Sequence, residues 1–242
     1  MKKIVIIPAY NEEKRIADII FKIKSIDKDI TIAIIDDGSL DNTAEVSKTS
    51  GAIVLKLPFN MGYGNALQTG YKYAYENGYD IVLQMDGDGQ HDPKYIPFMI
   101  ETLTKNNTDV IIGSRFKNKS GYKTSFARIA GIKFFSLIVS IILKKKITDP
   151  TSGYQAIKAR VLPFLVSEAF PYDYPDADLL IMLYYEGFKI SEFGMQMHSD
   201  PKSKSMHKGI LRNIYYIFKM LMSIFLIVIS VKIFHNRRQK CH

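Results

Sequence analysis

Short apolar runs alternate with longer amphipathic stretches along the first half of the chain. The amphipathic stretches have the apolar spacing of a helix with one buried face, and they cover about residues 12–25, from 42 onward, 64–76 and 93–104. The apolar runs have the length of buried strands and cover residues 4–7, 31–35, 52–57, 80–85 and 109–112. This alternation is typical of βαβ units, so we predict an α/β fold with a mostly parallel sheet and helices on both faces.

The second half of the chain is less regular. A strongly apolar stretch at residues 134–143 runs into three consecutive lysines, residues 144–146, and a polar turn follows at 148–153. The pattern then predicts a helix at 177–186 and a strand at 189–193.

The chain ends in an apolar and basic tail. Residues 214–231 carry a single charge, Lys219, whereas a full membrane span needs about 20 apolar residues. We therefore expect a globular domain at residues 1–206 and a membrane-associating helix at 207–242. That helix is either short or tilted within the membrane or lies on its surface, and a core helix is the competing interpretation.

Clusters of polar residues follow four of the predicted strands. They occupy residues 8–13, 36–39, 86–93 and 113–115. Open α/β sheets bind ligands at the carboxyl ends of their parallel strands. We therefore expect all four clusters to meet at one edge of the sheet.

The sharpest chemical signal is the pair Asp86 and Asp88. Gly87 and Gly89 permit the bend that turns both carboxylates toward one point. Hard oxygen ligands in this arrangement suit Mg²⁺ or Mn²⁺, and Gln90 could add a carbonyl oxygen. The competing interpretation is an ordinary Asp- and Gly-rich turn between a strand and a helix.

Asp36 and Asp37 form a second acidic pair, suited to accepting hydrogen bonds from a base or from ribose hydroxyls. Helix capping is the competing role, and it accounts better for Ser39 or Asp41. The glycine-rich stretch at residues 60–65 lacks the third glycine of a dinucleotide fingerprint and follows the third strand, so we reject an NAD site.

The net charge of +9 is concentrated in the tail, where residues 198–242 hold nine basic residues and one acid, Asp200. A basic tail favours an anionic partner, and the apolar residues at 214–234 favour lipid head groups over nucleic acid. The single cysteine, Cys241, cannot form an internal disulfide, which fits an intracellular chain. The four apolar residues at 4–7 are too few for a signal peptide.

Six motifs occur in an order that resembles glycosyltransferase family 2, in the branch of the dolichyl- and polyprenyl-phosphate sugar transferases. They lie at residues 8–12, 36–41, 60–64, 86–90, 113–115 and 148–153. The resemblance implies a GT-A fold, which contains a Rossmann-like sheet, and an inverting transfer from a UDP- or GDP-sugar in cell-wall or polysaccharide biosynthesis. It further implies a polyprenyl phosphate acceptor, work at the cytoplasmic face of the membrane, and leaves open a small membrane-protein partner.

The resemblance also implies roles for individual residues, to which we add Lys204, as a substitute for an arginine of the family, and Asp178, as a candidate base. The expected nucleotide-sugar-binding residues are Pro8, Tyr10, Glu12, Asp37, Asp86, Arg115 and Lys204. The expected metal ligands for Mg²⁺ or Mn²⁺ are Asp86, Asp88 and Gln90. The expected catalytic residues are Asp88, Asp149 and Asp178.

One segment departs from the family pattern. Asp200 stands where the family usually has an arginine, and Lys202 or Lys204 is the expected substitute. A lysine is a point charge and lacks the two-pronged hydrogen bonding of arginine.

The acceptor decides whether a base is needed. A nucleoside diphosphate leaves without a general acid when a divalent metal takes up its charge, and a polyprenyl phosphate is already an anion. A sugar hydroxyl on a lipid-linked glycan or polysaccharide, the alternative acceptor, needs a base, for which Asp176 and Asp178 are candidates. Both could instead stabilise a helix N-terminus. A non-enzymatic nucleotide-sugar binder, a nucleotidyltransferase and a nucleic-acid binder are the less favoured functions.

Overall fold

The computed structural model of the protein describes residues 1–117, 126–197 and 210–240. It contains a seven-stranded sheet with the strand order β3-β2-β1-β4-β6-β5-β7. The strands are β1 Lys3–Ala9, β2 Thr31–Asp36, β3 Ile53–Lys56, β4 Ile81–Gln84, β5 Val110–Ser114, β6 Gln155–Lys158 and β7 Ile190–Gly194. All neighbours pair in parallel except β6, which is antiparallel to both β4 and β5.

The predicted strands are confirmed, and β6 is the strand that the sequence pattern did not indicate. Its four residues follow a polar turn without the length or alternation that marks a strand. Its register has a direct consequence, because Gln155 lies opposite Gln84 in the antiparallel pair. Asp86 follows Gln84 by two residues and Gly153 precedes Gln155 by two, so the antiparallel register brings Gly153 beside Asp86. In this way β6 carries the 148–153 turn to the acidic turn after β4.

Helices cover both faces of the sheet. They are α1 Ile16–Ile26, α2 Thr43–Thr49, α3 Tyr63–Glu76, α4 Ile96–Lys105, α5 Phe126–Leu143, α6 Leu162–Leu165, α7 Ala177–Tyr185 and α8 Ile210–Lys240. Side chains of α1 and α4 form one apolar core with the sheet. Those of α3, α5, α6, α7 and α8 form the second core on the opposite face. The predicted α/β fold is confirmed.

The tail helix α8 lies against the globular part of the chain. Met220 and Ile224 are 3% and 6% exposed and belong to the second core, whereas Phe218 and Phe225 on the other side of the helix are 63% and 58% exposed. Within residues 1–117, 126–197 and 210–240, no helix has the length and hydropathy that a bilayer crossing requires. The expected domain boundary at residue 206 lies outside the described residues, as do Asp200, Lys202, Lys204 and Cys241.

Candidate active site

The polar segments that follow the parallel strands lie against one another at one edge of the sheet. The Asp37 N–H donates a hydrogen bond to the Ala9 carbonyl at 2.9 Å, which ties the end of β2 to the end of β1. Gly87 lies so close to β1 that a Cβ atom there would be 3.1 Å from the carbonyl oxygen of Pro8. These contacts confirm the predicted convergence for the clusters after β1, β2 and β4.

Asp86 is held in one orientation by Tyr63 and is packed closely against Gly153. The Tyr63 hydroxyl donates a hydrogen bond to Asp86 Oδ1 at 2.8 Å, and the Asp86 side chain is 28% exposed. A Cβ atom at Gly153 would be 2.9 Å from Oδ1 and 3.0 Å from Oδ2, so only glycine leaves these oxygens free. Burial raises the pKa of Asp86, because the charged form loses its hydration.

Asp88 lies two residues further along and is bound by Gln90. The Gln90 backbone N–H donates to Asp88 Oδ1 at 3.0 Å, and the Gln90 side-chain amide donates to Oδ2 at 2.5 Å. Burial, followed by the negative charge of Asp86, raises the pKa of Asp88. Two carboxylates that repel each other and have lost hydration favour a divalent cation between them. Among the described residues, no group of three or more His, Cys, Asp or Glu side chains forms a metal site.

A chain of hydrogen bonds connects Asp86 to the interior. The Tyr71 hydroxyl donates to Gln84 Oε1 at 2.5 Å, and Gln84 Nε2 donates to the Tyr63 oxygen at 3.1 Å. Tyr63 in turn donates to Asp86. Sequence reasoning missed Tyr63, although it lies within the glycine-rich motif at 60–64, because a tyrosine there carries no signal of its partner.

His91 binds the backbone of the same turn. Its Nδ1 accepts a hydrogen bond from the Asp86 backbone N–H at 3.0 Å, and its ring stacks on Tyr154 with 4.9 Å between the ring centroids. Burial lowers the pKa of His91 to about 4, so the ring is neutral at pH 7. The sequence placed His91 in the right cluster but gave no indication of this role.

Arg115 and Asp149 form a buried, bidentate ion pair. Arg115 Nε and Nη2 each donate to one carboxylate oxygen of Asp149 at 2.6 Å, and the two side chains are 4% and 0% exposed. Arg115 Nη2 also donates to the Thr151 hydroxyl at 2.9 Å. The structure thus brings both predicted site residues together and gives each the other as a partner. Their roles toward phosphate and at the reaction centre stay predictions.

Glu192 on β7 holds the loop that carries Asp149. Its carboxylate accepts hydrogen bonds from the backbone N–H groups of Thr148 and Asp149 at 2.8 Å each. Burial raises the pKa of Glu192. Sequence reasoning missed this residue because a single glutamate inside a strand looks like any surface carboxylate until the sheet order is known.

Asp37 anchors the start of α3. Its two carboxylate oxygens accept hydrogen bonds from the Met61 N–H at 2.7 Å and the Gly62 N–H at 3.0 Å. Burial raises the pKa of Asp37. A carboxylate has about four acceptor positions, so these two bonds leave capacity for a nucleoside, which stays a prediction.

The remaining residues expected at the nucleoside lie along the loop after β1. Pro8 is buried in the strand, and Tyr10 is 43% exposed. Glu12 accepts a hydrogen bond from Arg15 Nη1 at 2.9 Å, and its backbone N–H donates to the Thr43 hydroxyl at 2.8 Å. The loop is therefore fixed from both sides while the tyrosine ring remains accessible for stacking.

The two acids proposed as bases differ in their surroundings. Asp178 is 4% exposed and accepts hydrogen bonds from the Ser223 hydroxyl and the Leu179 N–H, both at 2.8 Å. Asp176 is partly exposed and accepts a hydrogen bond from the Tyr216 hydroxyl at 2.7 Å. Burial raises the pKa of Asp176 to about 7. The catalytic role predicted for Asp178 stays a prediction.

Comparisons with known proteins agree with this arrangement. The model of the family described as Glycosyl transferase family 2 matches residues 4–164. The chain is 34% identical over 179 residues to the UDP-N-acetylglucosamine–dolichyl-phosphate N-acetylglucosaminyltransferase of Methanococcus voltae, covering 66% of this chain and 71% of that protein. It is 31% identical over 170 residues to the undecaprenyl-phosphate mannosyltransferase of Micrococcus luteus, covering 67% of this chain and 68% of that one.

A solved structure shares the fold. Glucosyl-3-phosphoglycerate synthase from Mycobacterium tuberculosis, in complex with Mn²⁺ and uridine-diphosphate-glucose, superposes with a TM-score of 0.66 at 20% identity. The match covers 93% of this chain and 78% of that one. The GT-A fold expected from the sequence is confirmed by this likeness.

Proposed function

The chain belongs to glycosyl transferase family 2 and is a glycosyltransferase, and on that premise we propose that it moves a sugar from a UDP- or GDP-sugar to a polyprenyl phosphate. The observation that carries the proposal is the acidic turn, Asp86 and Asp88, held at the edge of the sheet where the loops after β1, β2 and β4 meet. The names of the two relatives, which specify dolichyl and undecaprenyl phosphate, support this acceptor.

The acidic turn fits Mg²⁺ or Mn²⁺. Mg²⁺ is commonly held by one or two carboxylates together with substrate phosphates, so a pair of acids without a third protein carboxylate is a suitable site. The close approach of Gly153 to both Asp86 oxygens, which no other residue permits without a shift, keeps a side chain away from this carboxylate. Asp86 and Asp88 would hold the ion, and Gln90 would adjoin it. A bound cation supplies charge neutralisation for the departing diphosphate.

The protein's own residues supply binding and orientation. Tyr63 binds the Asp86 carboxylate and His91 binds the Asp86 backbone N–H, so the carboxylate that would hold the cation is already in position and little reorganisation is needed during transfer. Tyr10 offers an exposed ring to the base, and Asp37 offers its remaining lone pairs. An inverting transfer then requires the acceptor oxygen to approach the sugar from the side opposite the diphosphate.

An apolar surface supports work at the membrane. The apolar face of α5 and α8 is formed by exposed side chains on two adjacent helices, which are in contact through Phe135 and Tyr216 with 6.1 Å between ring centroids. The exposed members are Phe134, Leu137 and Ile141 of α5, and Phe218, Met222, Phe225, Leu226 and Ile229 of α8.

An apolar surface of this kind indicates a binding partner or a membrane, because soluble monomers rarely expose such patches to water. Exposed lysines at 133 and 144–146 border the α5 part of the face. A cationic border around an apolar face fits an anionic leaflet, into which the helices insert their apolar side chains while the lysines remain at the head groups. We place the catalytic part of the chain at the cytoplasmic face of a membrane on this ground.

The activity test is a screen of UDP- and GDP-sugars with undecaprenyl phosphate and Mn²⁺, with labelled lipid product as the readout. Product is expected for one donor and is expected to disappear with excess chelator and in Asp86→Asn and Asp88→Asn. Asp80→Asn is the matched control, because Asp80 lies at the opposite end of β4 and its side chain is 55% exposed. Product formation that survives both the chelator and the two site variants would refute the proposal. Product only with a sugar hydroxyl acceptor would favour the alternative acceptor.

The membrane test is sedimentation with phosphatidylglycerol vesicles. Leu137→Asp and Phe225→Asp are each expected to weaken vesicle binding. Phe21→Asp is the control, since Phe21 is 71% exposed on α1, which lies on the other face of the sheet. Equal vesicle binding by all three variants, or a stable dimer in solution that the two site variants dissolve, would show that lipid does not cover this face.

A further inference from the structure

The tail helix α8 places polar side chains against an acidic segment, residues 173–178, which leads into the first turn of α7. In its described part, α8 is apolar on the side that faces the domain, except at three positions spaced three and four residues apart. This spacing puts all three on one face of the helix. Each of them contacts a different acid: Tyr216 contacts Asp176, Lys219 contacts Asp173 and Ser223 contacts Asp178. The three contacts fix both the rotation and the register of α8 on the domain.

This acidic segment borders the acidic turn. The Gly64 N–H donates a hydrogen bond to the Asp173 carbonyl at 3.2 Å, and a Cβ atom at Gly64 would be only 2.1 Å from the Tyr172 carbonyl oxygen. The segment therefore packs directly on the first turn of α3. The preceding residue, Tyr63, is the one that donates to Asp86. Asp176 lies close enough to Asp86 and Arg115 for their charges to influence its pKa.

Of the two acids at the start of α7, Asp176 is the one available to a substrate. Asp178 is almost fully buried, and its oxygens accept from Ser223 and from backbone N–H groups. Asp176 is partly exposed, and within the described residues the one side-chain hydrogen bond to its carboxylate comes from Tyr216. A side chain with one such bond owes its orientation to that partner.

We propose that Asp176 faces the acceptor and that Tyr216 positions it, so that the C-terminal helix completes the active site. The inference rests on the proposed transferase function and adds an acceptor-side residue to it. With a singly protonated acceptor phosphate, the carboxylate of Asp176 takes the proton. An acceptor oxygen then forms the new bond to the sugar carbon, while the bond from that carbon to the diphosphate breaks and the diphosphate leaves with the electron pair. A hydroxyl acceptor would lose its proton to Asp176 in the same way.

The charges around Asp176 determine how it titrates. Burial is the largest influence and raises the pKa of Asp176 to about 7. The Tyr216 hydrogen bond from α8 and the charge of Arg115 lower this pKa, while the charges of Asp178 and Asp86 raise it. The second pKa of a phosphate monoester is about 6, so the two groups can exchange a proton near neutral pH. Removal of the Tyr216 hydroxyl is expected to raise the pKa of Asp176.

The test compares Tyr216→Phe with Tyr215→Phe in the full-length chain. Tyr215 is the neighbouring tyrosine of the same helix and is 59% exposed, so its variant controls for loss of a hydroxyl without loss of the contact. We measure kcat and KM for the acceptor between pH 5 and 9 (about the range in which both groups titrate), the Kd of the nucleotide, and thermal unfolding.

For Tyr216→Phe, the acidic limb of the pH profile of kcat/KM for the acceptor is expected to move about one pH unit higher. At pH values below this limb, kcat/KM is then expected to be about tenfold lower than in the wild type. The nucleotide Kd is expected to stay unchanged, and Tyr215→Phe is expected to follow the wild-type profile. Asp176→Asn is expected to lower kcat by about 10²-fold or more with nucleotide affinity retained.

Identical pH profiles for Tyr216→Phe and Tyr215→Phe, or wild-type kcat in Asp176→Asn, would overturn the inference. A lower unfolding temperature without a shift of the limb would assign Tyr216 a purely structural role and would overturn it as well. The proposed function fails separately, when the wild-type protein forms no polyprenyl-linked product. The same comparison is then made with the acceptor that the wild type does use.

Discussion

Replacing Gly153 by alanine places a methyl group where the structure has room only for a hydrogen atom. The new Cβ would lie 2.9 Å from both Asp86 Oδ1 and the Tyr63 hydroxyl oxygen, whereas ordinary contacts begin at 3.4 Å. Asp86, Tyr63 or the strand itself must therefore move by about 0.5 Å. His91 holds the backbone N–H of Asp86 and the Tyr63 hydroxyl holds its carboxylate, so a shift of the carboxylate away from Gly153 strains its hydrogen bond to Tyr63.

The size of the expected effect follows from the positional precision that catalytic groups require. Catalytic groups need to lie within about 0.5 Å of their productive position, and a misplacement of about 1 Å can cost 10²-fold in rate. We expect Gly153→Ala to lower kcat/KM by about 10- to 100-fold, equivalent to about 1.4–2.7 kcal/mol of transition-state stabilisation. The Mn²⁺ concentration for half-maximal activity is expected to rise, since one of the two carboxylates is displaced.

The assay is release of nucleoside diphosphate from the donor in the presence of acceptor, titrated with Mn²⁺. Gly131→Ala is the matched control, because a Cβ atom at Gly131 meets nothing within 4 Å and Gly131 lies inside α5. This control is expected to keep wild-type kinetics and to gain up to about 1 kcal/mol of stability from the better helix propensity of alanine. If Gly153→Ala matches the control in both kcat/KM and Mn²⁺ dependence, Asp86 does not act through the position seen in the structure.

Three further outcomes are expected. Asp149→Asn leaves the Arg115 guanidinium buried without its counter-ion and should lower the free energy of unfolding by about 3–5 kcal/mol; a loss below about 1 kcal/mol in a urea titration would contradict this. Gln84→Leu deprives the buried Tyr71 hydroxyl of its acceptor and Tyr63 of a donor, and should cost about 1–3 kcal/mol by the same titration. Binding to anionic vesicles should weaken as salt rises, because the screening length falls from about 30 Å at 0.01 M to about 3 Å at 1 M; salt-independent sedimentation would exclude a contribution from the lysines.

The alternating pattern of apolar runs was sufficient to predict the parallel part of the sheet and the edge at which the polar loops meet. The reason is physical: a strand buried on both faces must be apolar along its length, and helices that cover it must present one apolar side. The same reasoning placed Asp86 and Asp88 in the turn after β4. Local sequence determines these features because each depends on residues close together in the chain.

Contacts between distant segments could not be read from the sequence. The antiparallel strand β6 is four residues long, and its position between β4 and β5 places Gly153 beside Asp86 across 67 positions of the chain. The partners of Arg115 and Asp149, and the support of Asp149 by Glu192, depend in the same way on the sheet order. A carboxylate or guanidinium in a sequence carries its charge but gives no indication of which opposite charge will be buried with it.

The C-terminal tail shows most clearly which features the sequence indicates and which only the tertiary structure decides. Composition alone indicated that residues 207–242 are apolar and basic and favoured a membrane surface over nucleic acid. Only the tertiary structure decided which side of α8 is buried, and that Tyr216 and Ser223 reach acids at the start of α7. A helix that is apolar all round can pack by any of its faces, so the few polar side chains and their distant partners determine which face is chosen.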